Sequence, residues 1–305
     1  IAAPGIVGSP PTRTHSSTSA KCPASSERGA ARPLRTTIPP GSPGGVTSSM
    51  SMRPETRPSI HVSWLAAGGR SGLRHRNRFG AIFELSVYDY IDKIVLEEGY
   101  YESEVLEVLR THAGPGSVFW DIGSNFGLHA ITLKHLAPAT TVHAFEPSPD
   151  IAARIRNHAR LNNVDVALWP IALGDTPGYA DLHIVAEGNP GMTTLQPWSE
   201  VHYAERQPAR VERADLLIDT VQVPPPTVMK IDVEGAELSV LQGFGRHLTS
   251  PRLRAVVFEA HVDVATIPAA HPVSALLLAH GFTIAPLFRQ EQTTHRLGNF
   301  CAVRQ

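Results

Sequence analysis

The chain has 305 residues, of which 42% are hydrophobic, and a formal net charge of −1 at pH 7. This length allows one large domain or two small ones, and the near-neutral charge provides no global field that would attract nucleic acid or an anionic membrane. The two cysteines, Cys22 and Cys301, lie at opposite ends of the chain and form neither a disulfide framework nor a metal motif. Since no apolar run approaches the length of a membrane span either, we expect a cytoplasmic protein with no nucleic-acid or membrane partner.

The composition predicts three regions. Residues 1–58 are rich in Pro, Ser, Thr, Gly, Ala and Arg and contain almost no large apolar residues, so they cannot bury enough surface to offset their ordering entropy and are predicted to be a disordered tail. There are two alternative interpretations of these residues: a transit peptide, or sequence upstream of a true start at Met50 or Met52. Residues 59–110 are predicted to be a linker with a lead-in helix, and residues 111–305 the main domain.

The lead-in region carries two patterns. Residues 59–79 contain several arginines and are predicted to be a solvated linker, with a phosphate-binding patch as the alternative. Residues 83–109 have helical periodicity, with an apolar face near their end. Gly114-Pro-Gly116 then predicts a break before the main domain.

Strands and helices alternate from residue 117 onward. The predicted strands are 117–122, 141–145, 164–169, 227–232 and 253–259, with an extra strand at 179–185 and late strands at 282–287 and 298–303. The predicted helices are 127–136, 149–162, 235–248 and 271–280, and residues 188–195 are predicted to be a loop. This alternation indicates an α/β fold with a doubly wound, mostly parallel sheet and helices on both faces. Ligands bind such sheets beyond the carboxyl ends of the strands, at the point where the strand order reverses.

The segment after the first of these strands carries the strongest signal. Asp121 ends the strand, and Gly123, Ser124, Asn125 and Gly127 form a turn that leads directly into a helix. The glycines allow a tight turn and a close approach of backbone to a ligand. Their spacing does not match the G-x-G-x-x-G of dinucleotide sites. An acidic residue before the turn favours a ligand with hydroxyls or a positive charge, and we predict S-adenosylmethionine.

A second acid follows the next strand. Glu146 lies one strand-helix-strand unit after Asp121, and a carboxylate there could accept both hydroxyl hydrogens of a ribose. The alternative for Glu146 is a helix-capping role. Ala172 and Leu173 follow the third strand and are candidates for an adenine slot, although packing explains them equally well.

The sequence Val228-Met-Lys-Ile-Asp-Val-Glu-Gly235 places three charged residues in alternation with apolar ones. In strand geometry Lys230, Asp232 and Glu234 point the same way. Charged side chains at the end of a central strand are costly unless they are paired or functional, so they are predicted to be catalytic. A structural ion-pair network is the alternative.

Glu259 and His261 end the fifth strand, where they could converge with the charged residues of the fourth. His261 is a candidate general base because its ordinary pKa lies near neutrality, and a hydrogen-bonded histidine at a strand end is the alternative. Together with Asp232 and Glu234 these residues could bind a divalent metal. Nothing in the pattern requires one, and no metal is predicted.

At these motifs the chain resembles the FkbM family of S-adenosylmethionine-dependent methyltransferases. The matching segments are Asp121-Ile-Gly-Ser-Asn-Phe-Gly127, Phe145-Glu-Pro147, Ala172-Leu173-Gly-Asp175, Lys230-Ile-Asp-Val-Glu-Gly-Ala-Glu237 and Glu259-Ala-His261, with Gly99-Tyr-Tyr-Glu102 before them. They occur in the family's order over residues 83–287. Ser124 stands where relatives commonly carry Ala.

The resemblance implies a seven-stranded sheet of the class I methyltransferase type, Rossmann-like, with its last strand antiparallel. It also implies methyl transfer to a hydroxyl of a sugar, polyketide or other small metabolite. Residues at the cofactor would be Asp121, Gly123, Asn125, Gly127 and Glu146, while Asp232 and Glu234 would face the methyl group or the acceptor. A methyltransferase acting on RNA or protein, a non-catalytic cofactor-binding relative and a nicotinamide dehydrogenase are the alternatives. The acceptor and the oligomeric state are not readable from the sequence.

Overall fold

A computed structural model of the chain describes residues 72–185, 188–261, 271–287 and 297–304, without the side chains of His261 and Leu297. The predicted disordered tail, residues 1–58, lies outside these ranges, and so does the linker up to residue 71. The division into a lead-in region and a main domain stays a prediction. Within the described ranges, no helix has both the length and the apolar character needed to cross a bilayer.

The described residues form twelve strands and seven α-helices. The strands are β1 (Leu73–Arg76), β2 (Ile82–Leu85), β3 (Val118–Ile122), β4 (Thr141–Phe145), β5 (Ala167–Trp169), β6 (Ala172–Leu173), β7 (Gly178–Val185), β8 (Tyr203–Glu212), β9 (Val228–Ile231), β10 (Ala255–His261), β11 (Thr283–Leu287) and β12 (Leu297–Val303). The helices are α1 (Tyr90–Glu98), α2 (Ser103–His112), α3 (Leu128–Leu136), α4 (Pro149–Asn162), α5 (Ala214–Asp219), α6 (Glu237–Gly243) and α7 (Pro272–Ala279).

Seven strands form the central sheet in the order β11-β12-β10-β9-β3-β4-β5. The pairs β10–β9, β9–β3, β3–β4 and β4–β5 are parallel, whereas β12 is antiparallel to both of its neighbours. The chain runs outward from β3 to β5 and then returns to the other side of β3 at β9. The strand order therefore reverses between β3 and β9. The predicted α/β fold, with a doubly wound, seven-stranded and mostly parallel sheet, is confirmed.

The two faces of the sheet are covered by different helices, and each face has its own hydrophobic core. Helices α1–α4 contribute to one core and α5–α7 to the other. The adjacent residues Phe119 and Trp120 of β3 are both fully buried, one in each core. Trp120 packs against Phe244 with ring centroids 5.3 Å apart. Burying side chains of this kind contributes about 1.5–3 kcal/mol each, which explains why β3 is apolar without alternation.

The lead-in region differs from the prediction. The sequence predicted a solvated linker over residues 59–79 and a helix over residues 83–109. Instead, β1 and β2 form an antiparallel hairpin, and two helices follow that are separated at Gly99, which has a φ of 80°. The prediction was wrong because Phe83 and Leu85, both fully buried, alternate with less buried neighbours. Four residues are too few to distinguish that period of two from a helix.

Several smaller differences affect the surroundings of the sheet. The third predicted strand is shorter than expected, since β5 begins at Ala167. The predicted helix 235–248 is divided into α6 and a 3₁₀ turn, Gly245–Thr249. The predicted extra strand is present as β7, but its long partner β8 was missed. These two strands and β6 form a separate three-stranded sheet in the order β6-β8-β7.

Candidate active site

The turn after β3 lies against the turn after β9, at the reversal point of the sheet. Gly123 has a φ of +76°, and a Cβ atom at this position would lie 1.9 Å from the carbonyl oxygen of Asp232. The N–H groups of Gly123 and Ser124 donate to the carbonyl of Phe145 at 3.0 and 3.1 Å. Ser124 Oγ donates to the carbonyl of Asp121 at 2.7 Å. Only glycine therefore allows the two turns to approach this closely.

The rest of this turn directs the chain into α3. Asn125 has a φ of 49°, and Gly127, with a φ of 86°, directly precedes the helix. A Cβ atom on Gly127 would lie 2.9 Å from Ile131 Cδ1. Gly127 thus serves close packing of the helix, as well as the turn.

Asp121 is 1% exposed and lies beneath the turn. Its Oδ2 accepts a hydrogen bond from the N–H of Ala130 at 3.1 Å, and its Oδ1 is buried without a hydrogen-bond partner among the described residues. Burial raises the pKa of Asp121, although the nearby charge of Lys230 opposes this. The carboxyl group therefore fixes the first turn of α3 to β3 and keeps one acceptor unused.

Glu146 follows β4 and is 6% exposed. Its Oε2 accepts from the N–H of Asn125 at 3.1 Å and its Oε1 from the N–H of Ser148 at 2.9 Å. Burial raises the pKa of Glu146 to about 7, although these two hydrogen bonds favour the ionised form. The helix-capping alternative is partly seen, because Ser148 is the N-cap of α4. The same carboxyl group nevertheless lines a cleft.

This cleft opens at the carboxyl ends of β3, β4 and β9 and is called the first cleft. Its empty volume, counted out to the open solvent at its mouth, is about 590 Å³. Five of the predicted cofactor residues line it, namely Gly123, Asn125, Glu146, Ala172 and Leu173. Asp121, Ser124 and Gly127 shape the turn from behind. Its apolar wall is formed by Ile122, Phe145, Ile151, Ile171 and Leu182.

The loop between β7 and β8 also lines this cleft, although the sequence indicated no specific chemistry for its residues. Pro190, Gly191, Thr193, Thr194 and Leu195 all line it. Thr194 pairs with β7 through backbone hydrogen bonds, and its Oγ1 donates to the carbonyl of Glu234 at 2.9 Å. Asn189-Pro190-Gly191 is a turn signal that marked a loop, but nothing in its composition indicated where the loop would pack.

Lys230 and Asp232 form an ion pair at the end of β9. Lys230 Nζ lies 2.7 Å from Asp232 Oδ2, and the Lys230 side chain is 4% exposed. Burial alone would lower the pKa of Lys230, but the carboxylates of Asp232, Asp121 and Glu102 outweigh it and raise the pKa. Asp232 also lines the first cleft. The charged end of β9 is therefore partly an ion-pair network, with one of its members at the cleft.

Glu234 and Glu259 complete the acidic cluster. Asp232, Glu234 and Glu259 each offer one carboxylate oxygen, and these oxygens lie within 4.8 Å of one another. Burial, followed by the charge of Asp232, raises the pKa of Glu234 to about 8 and that of Glu259 well above its ordinary value. The three residues are close enough to share a cation, although exposed acidic groups are also common without one. The predicted fourth member, His261, ends β10, but its side chain lies outside the described residues.

The predicted alternation of the charged residues does not extend through Glu234. The strand ends at Ile231, and Glu234 has a φ of 56°. A residue in the left-handed region cannot continue a strand. Glu234 therefore reaches the cluster through the turn that follows β9.

Glu102 is a buried acid that received no role from the sequence. Its Oε1 accepts from Asn299 Nδ2 at 2.7 Å, and its Oε2 lies 3.6 Å from His129 Nε2. Burial would raise the pKa of Glu102, but the contacts with His129, Lys230 and Asn299 outweigh it and lower the pKa. The residue connects α2, α3 and β12 beneath the cluster. The sequence signal for Glu102 was its place in Gly99-Tyr-Tyr-Glu102, a segment that resembles the FkbM family.

Comparisons with known proteins identify the family of this chain. Residues 121–284 match the methyltransferase FkbM domain. Among curated relatives, the hexuronic acid methyltransferase AglP of Haloferax volcanii is 30% identical over 162 residues, which are 53% of this chain and 64% of AglP. The 31-O-demethyl-FK506 methyltransferase FkbM of Streptomyces tacrolimicus is 30% identical over 205 residues, 57% of this chain and 77% of that protein. The chain thus spans less than two thirds of AglP.

A solved precorrin-6y C5,15-methyltransferase from Geobacter metallireducens covers 68% of this chain and 89% of its own, with 16% identity and a TM-score of 0.42. The fold of this chain is assigned from its own strand order and not from this comparison. The match over residues 121–284 covers more than half of the 305 residues and contains every strand and helix from β4 to α7. The chain therefore belongs to the family of FkbM methyltransferase domains.

Proposed function

We propose that this chain is an S-adenosylmethionine-dependent O-methyltransferase that acts on a hydroxyl of a sugar, a polyketide or another small metabolite. One observation carries the proposal: Glu146 after β4 and Asp232 after β9 line a single cleft at the reversal point of the sheet. The first is an acceptor suited to ribose hydroxyls, and the second is an acid at the site of chemistry. The names of the relatives AglP and FkbM support an oxygen acceptor on a small molecule.

The residues of the first cleft suit S-adenosylmethionine. Glu146 offers a buried carboxyl group beside an apolar wall, which matches the ribose and the adenine of the cofactor. Asp121 has a buried oxygen beneath the same turn that finds no hydrogen-bond partner in the part of the chain that the structure describes. When bound, S-adenosylmethionine supplies an electrophilic methyl group on a sulfonium. Glu146 would hold the ribose, the glycine turn would allow close contact, and Ala172 and Leu173 would border the adenine.

The remaining chemistry is positioning and removal of a proton. Asp232 would accept the proton of the acceptor hydroxyl while the acceptor oxygen bonds to the methyl carbon, the bond from that carbon to sulfur breaks and S-adenosylhomocysteine leaves. Its ion pair with Lys230 fixes its orientation. His261, Glu234 and Glu259 are the other candidates for this role. Good positioning supplies on the order of 7–11 kcal/mol of the barrier, and a base adds about 10²–10⁴-fold.

The alternatives make different predictions. A methyltransferase for RNA or protein would need a recognition surface, and the net charge of −1 does not favour a polyanion. A non-catalytic relative would bind the cofactor without transfer.

Cytoplasmic location stays a prediction from the sequence.

Calorimetry and a transfer assay test the proposal. S-adenosylhomocysteine, the product form of the cofactor, should bind in the micromolar range or tighter, whereas NAD should not bind. Labelled methyl from S-adenosylmethionine should appear on a hydroxyl-bearing small molecule in an acceptor screen. Binding of NAD in place of S-adenosylhomocysteine would contradict the cofactor assignment, and binding without any transfer would favour the non-catalytic alternative.

A further inference from the structure

A second cleft lies on the other side of the turn after β9 and shares none of its lining residues with the first. Its empty volume, counted out into open solvent, is about 880 Å³. Ala260, Val273 and Leu238 form an apolar floor, and Trp198 and His271 line it above the floor. Gln196, Pro197 and Pro272 are exposed lining residues. The cleft is therefore apolar at its base with a few polar groups around it, which is the usual composition of a small-molecule site.

The turn after β9 separates the two clefts and contributes to both. Asp232 lines the first cleft, whereas Gly235 lines the second. Ala260, on the floor of the second cleft, directly follows Glu259 of the acidic cluster. The second cleft therefore borders, across one turn, the acidic residues that would act on the acceptor hydroxyl.

The described residues around the second cleft do not favour an anionic occupant. Among the described residues that line it, none is lysine or arginine. The nearby Lys230 is already paired with Asp232 at 2.7 Å. Glu234 and Glu259 place two further carboxyl groups beside Asp232, with one oxygen of each of the three residues within 4.8 Å of the others. A carboxylate brought into this environment would be desolvated next to acids without a counter-charge, which is strongly unfavourable.

The lining side chains suit an uncharged ring that bears hydroxyls. The indole of Trp198 packs over Gly235, with Cζ2 3.5 Å from the position of a Cβ there, and it offers a flat apolar surface. His271 Nδ1 is buried without a hydrogen-bond partner in the described structure. Burial lowers the pKa of His271, so the ring is neutral at pH 7 and can donate or accept one hydrogen bond. Gln196 adds an amide among the exposed lining residues.

We propose that the second cleft is the acceptor subsite and that it binds an uncharged cyclic polyol, such as a neutral glycosyl unit, with its apolar face on Trp198 and a hydroxyl at His271. This inference rests on the proposed function and narrows it. It also separates this chain from AglP, whose name specifies a hexuronic acid.

The test is a transfer assay with labelled S-adenosylmethionine and two acceptor pools. One pool contains neutral methyl glycosides of glucose, galactose, mannose and rhamnose, and the other contains glucuronic and galacturonic acids. Both are assayed with EDTA and with Mg²⁺, so that any effect of a cation on the acidic cluster is measured. Trp198→Ala and Trp198→Phe are compared with Tyr179→Ala, which removes an aromatic ring that is 78% exposed and lines neither cleft.

The neutral pool should be methylated and the uronic acids should not, with or without Mg²⁺. Trp198→Ala should raise the KM for the acceptor about tenfold, Trp198→Phe should recover most of this, and Tyr179→Ala should match the unaltered protein. The affinity for S-adenosylhomocysteine should stay within about twofold in all variants, because Trp198 does not line the first cleft. Equal or faster methylation of the uronic acids would overturn the proposal.

Two further results would also overturn it: an unchanged KM in Trp198→Ala, or no methylation of the neutral pool by a protein that binds S-adenosylhomocysteine. That last result would leave the cofactor assignment standing. If the unaltered protein failed to bind S-adenosylhomocysteine, the proposed function would fail, and this proposal with it.

Discussion

Cofactor binding should weaken below neutral pH because of Glu146. Burial raises the pKa of this carboxyl group from 4.5 to about 7 in the protein without ligand. At pH 8 about nine tenths of it is ionised and at pH 6 about one tenth. If only the carboxylate accepts both ribose hydroxyl hydrogens, the Kd for S-adenosylhomocysteine should rise about ninefold between pH 8 and pH 6. Calorimetry across this range measures the change directly.

The contribution of Glu146 to folding stability changes with pH in the opposite direction to its contribution to cofactor affinity. Since the folded protein holds the proton of Glu146 more tightly than the unfolded chain does, ionisation costs the folded state free energy. That cost appears as the pH rises from 4.5 to about 7 and amounts to about 3 kcal/mol. Hydroxyl donors from a bound ribose would stabilise the carboxylate and recover part of it. The increase in melting temperature caused by S-adenosylhomocysteine should therefore be larger at pH 8 than at pH 6.

Three variants test whether Glu146 causes the pH dependence of the Kd for S-adenosylhomocysteine. Glu146→Gln should flatten the pH dependence of the Kd, at a further cost of about 1–3 kcal/mol in stability, because the amide can accept only one of the two backbone hydrogen bonds. Asp150→Asn, an exposed acid in the first turn of α4, is the matched control and should keep the dependence. Glu234→Gln should keep it as well, since Glu234 does not line the first cleft. A Kd that is the same at pH 6 and pH 8 in the unaltered protein would refute the reasoning.

Three other substitutions test the site. Gly123→Ala should prevent folding or cost well over 3 kcal/mol in urea unfolding, because its Cβ would lie 1.9 Å from a carbonyl oxygen. Gly116→Ala has the same φ of +76° with nothing within 4 Å, so it should cost only about 1–2 kcal/mol, and equal losses would contradict the packing argument. Lys230→Met should destabilise by about 3–5 kcal/mol in thermal unfolding, and a neutral result would mean that the ion pair contributes nothing. Asp232→Asn should lower turnover by about 10²–10⁴-fold and leave the Kd for S-adenosylhomocysteine within about threefold, whereas equal loss of both would remove its proposed role.

The central sheet could be predicted from the sequence because its signals are local. β3 is a continuous apolar run that ends at an acid and a glycine turn, and both β4 and α4 begin and end where their patterns predict. The convergence of Asp121, Glu146 and Asp232 follows from topology, since parallel strands bring their carboxyl ends to one edge. Those features can be predicted without knowing which distant segments of the chain contact one another.

The parts that were missed depend on contacts between distant segments. The β1–β2 hairpin is held to α4 by bonds such as the one from the N–H of Ile82 to Asn162 Oδ1 at 2.7 Å, and four-residue strands carry little periodicity. The loop with Thr194 covers the first cleft because of its partners on β7 and at Glu234. Glu102 gains its partners from α3 and β12. No local pattern encodes pairings of this kind.

A crystal structure with S-adenosylhomocysteine tests the central claim most directly. The account predicts adenosine in the first cleft, both ribose hydroxyls donating to Glu146, and the sulfur facing Asp232 across the position of the transferred methyl group. A product bound elsewhere, or bound in this cleft with its ribose away from Glu146, would contradict the account.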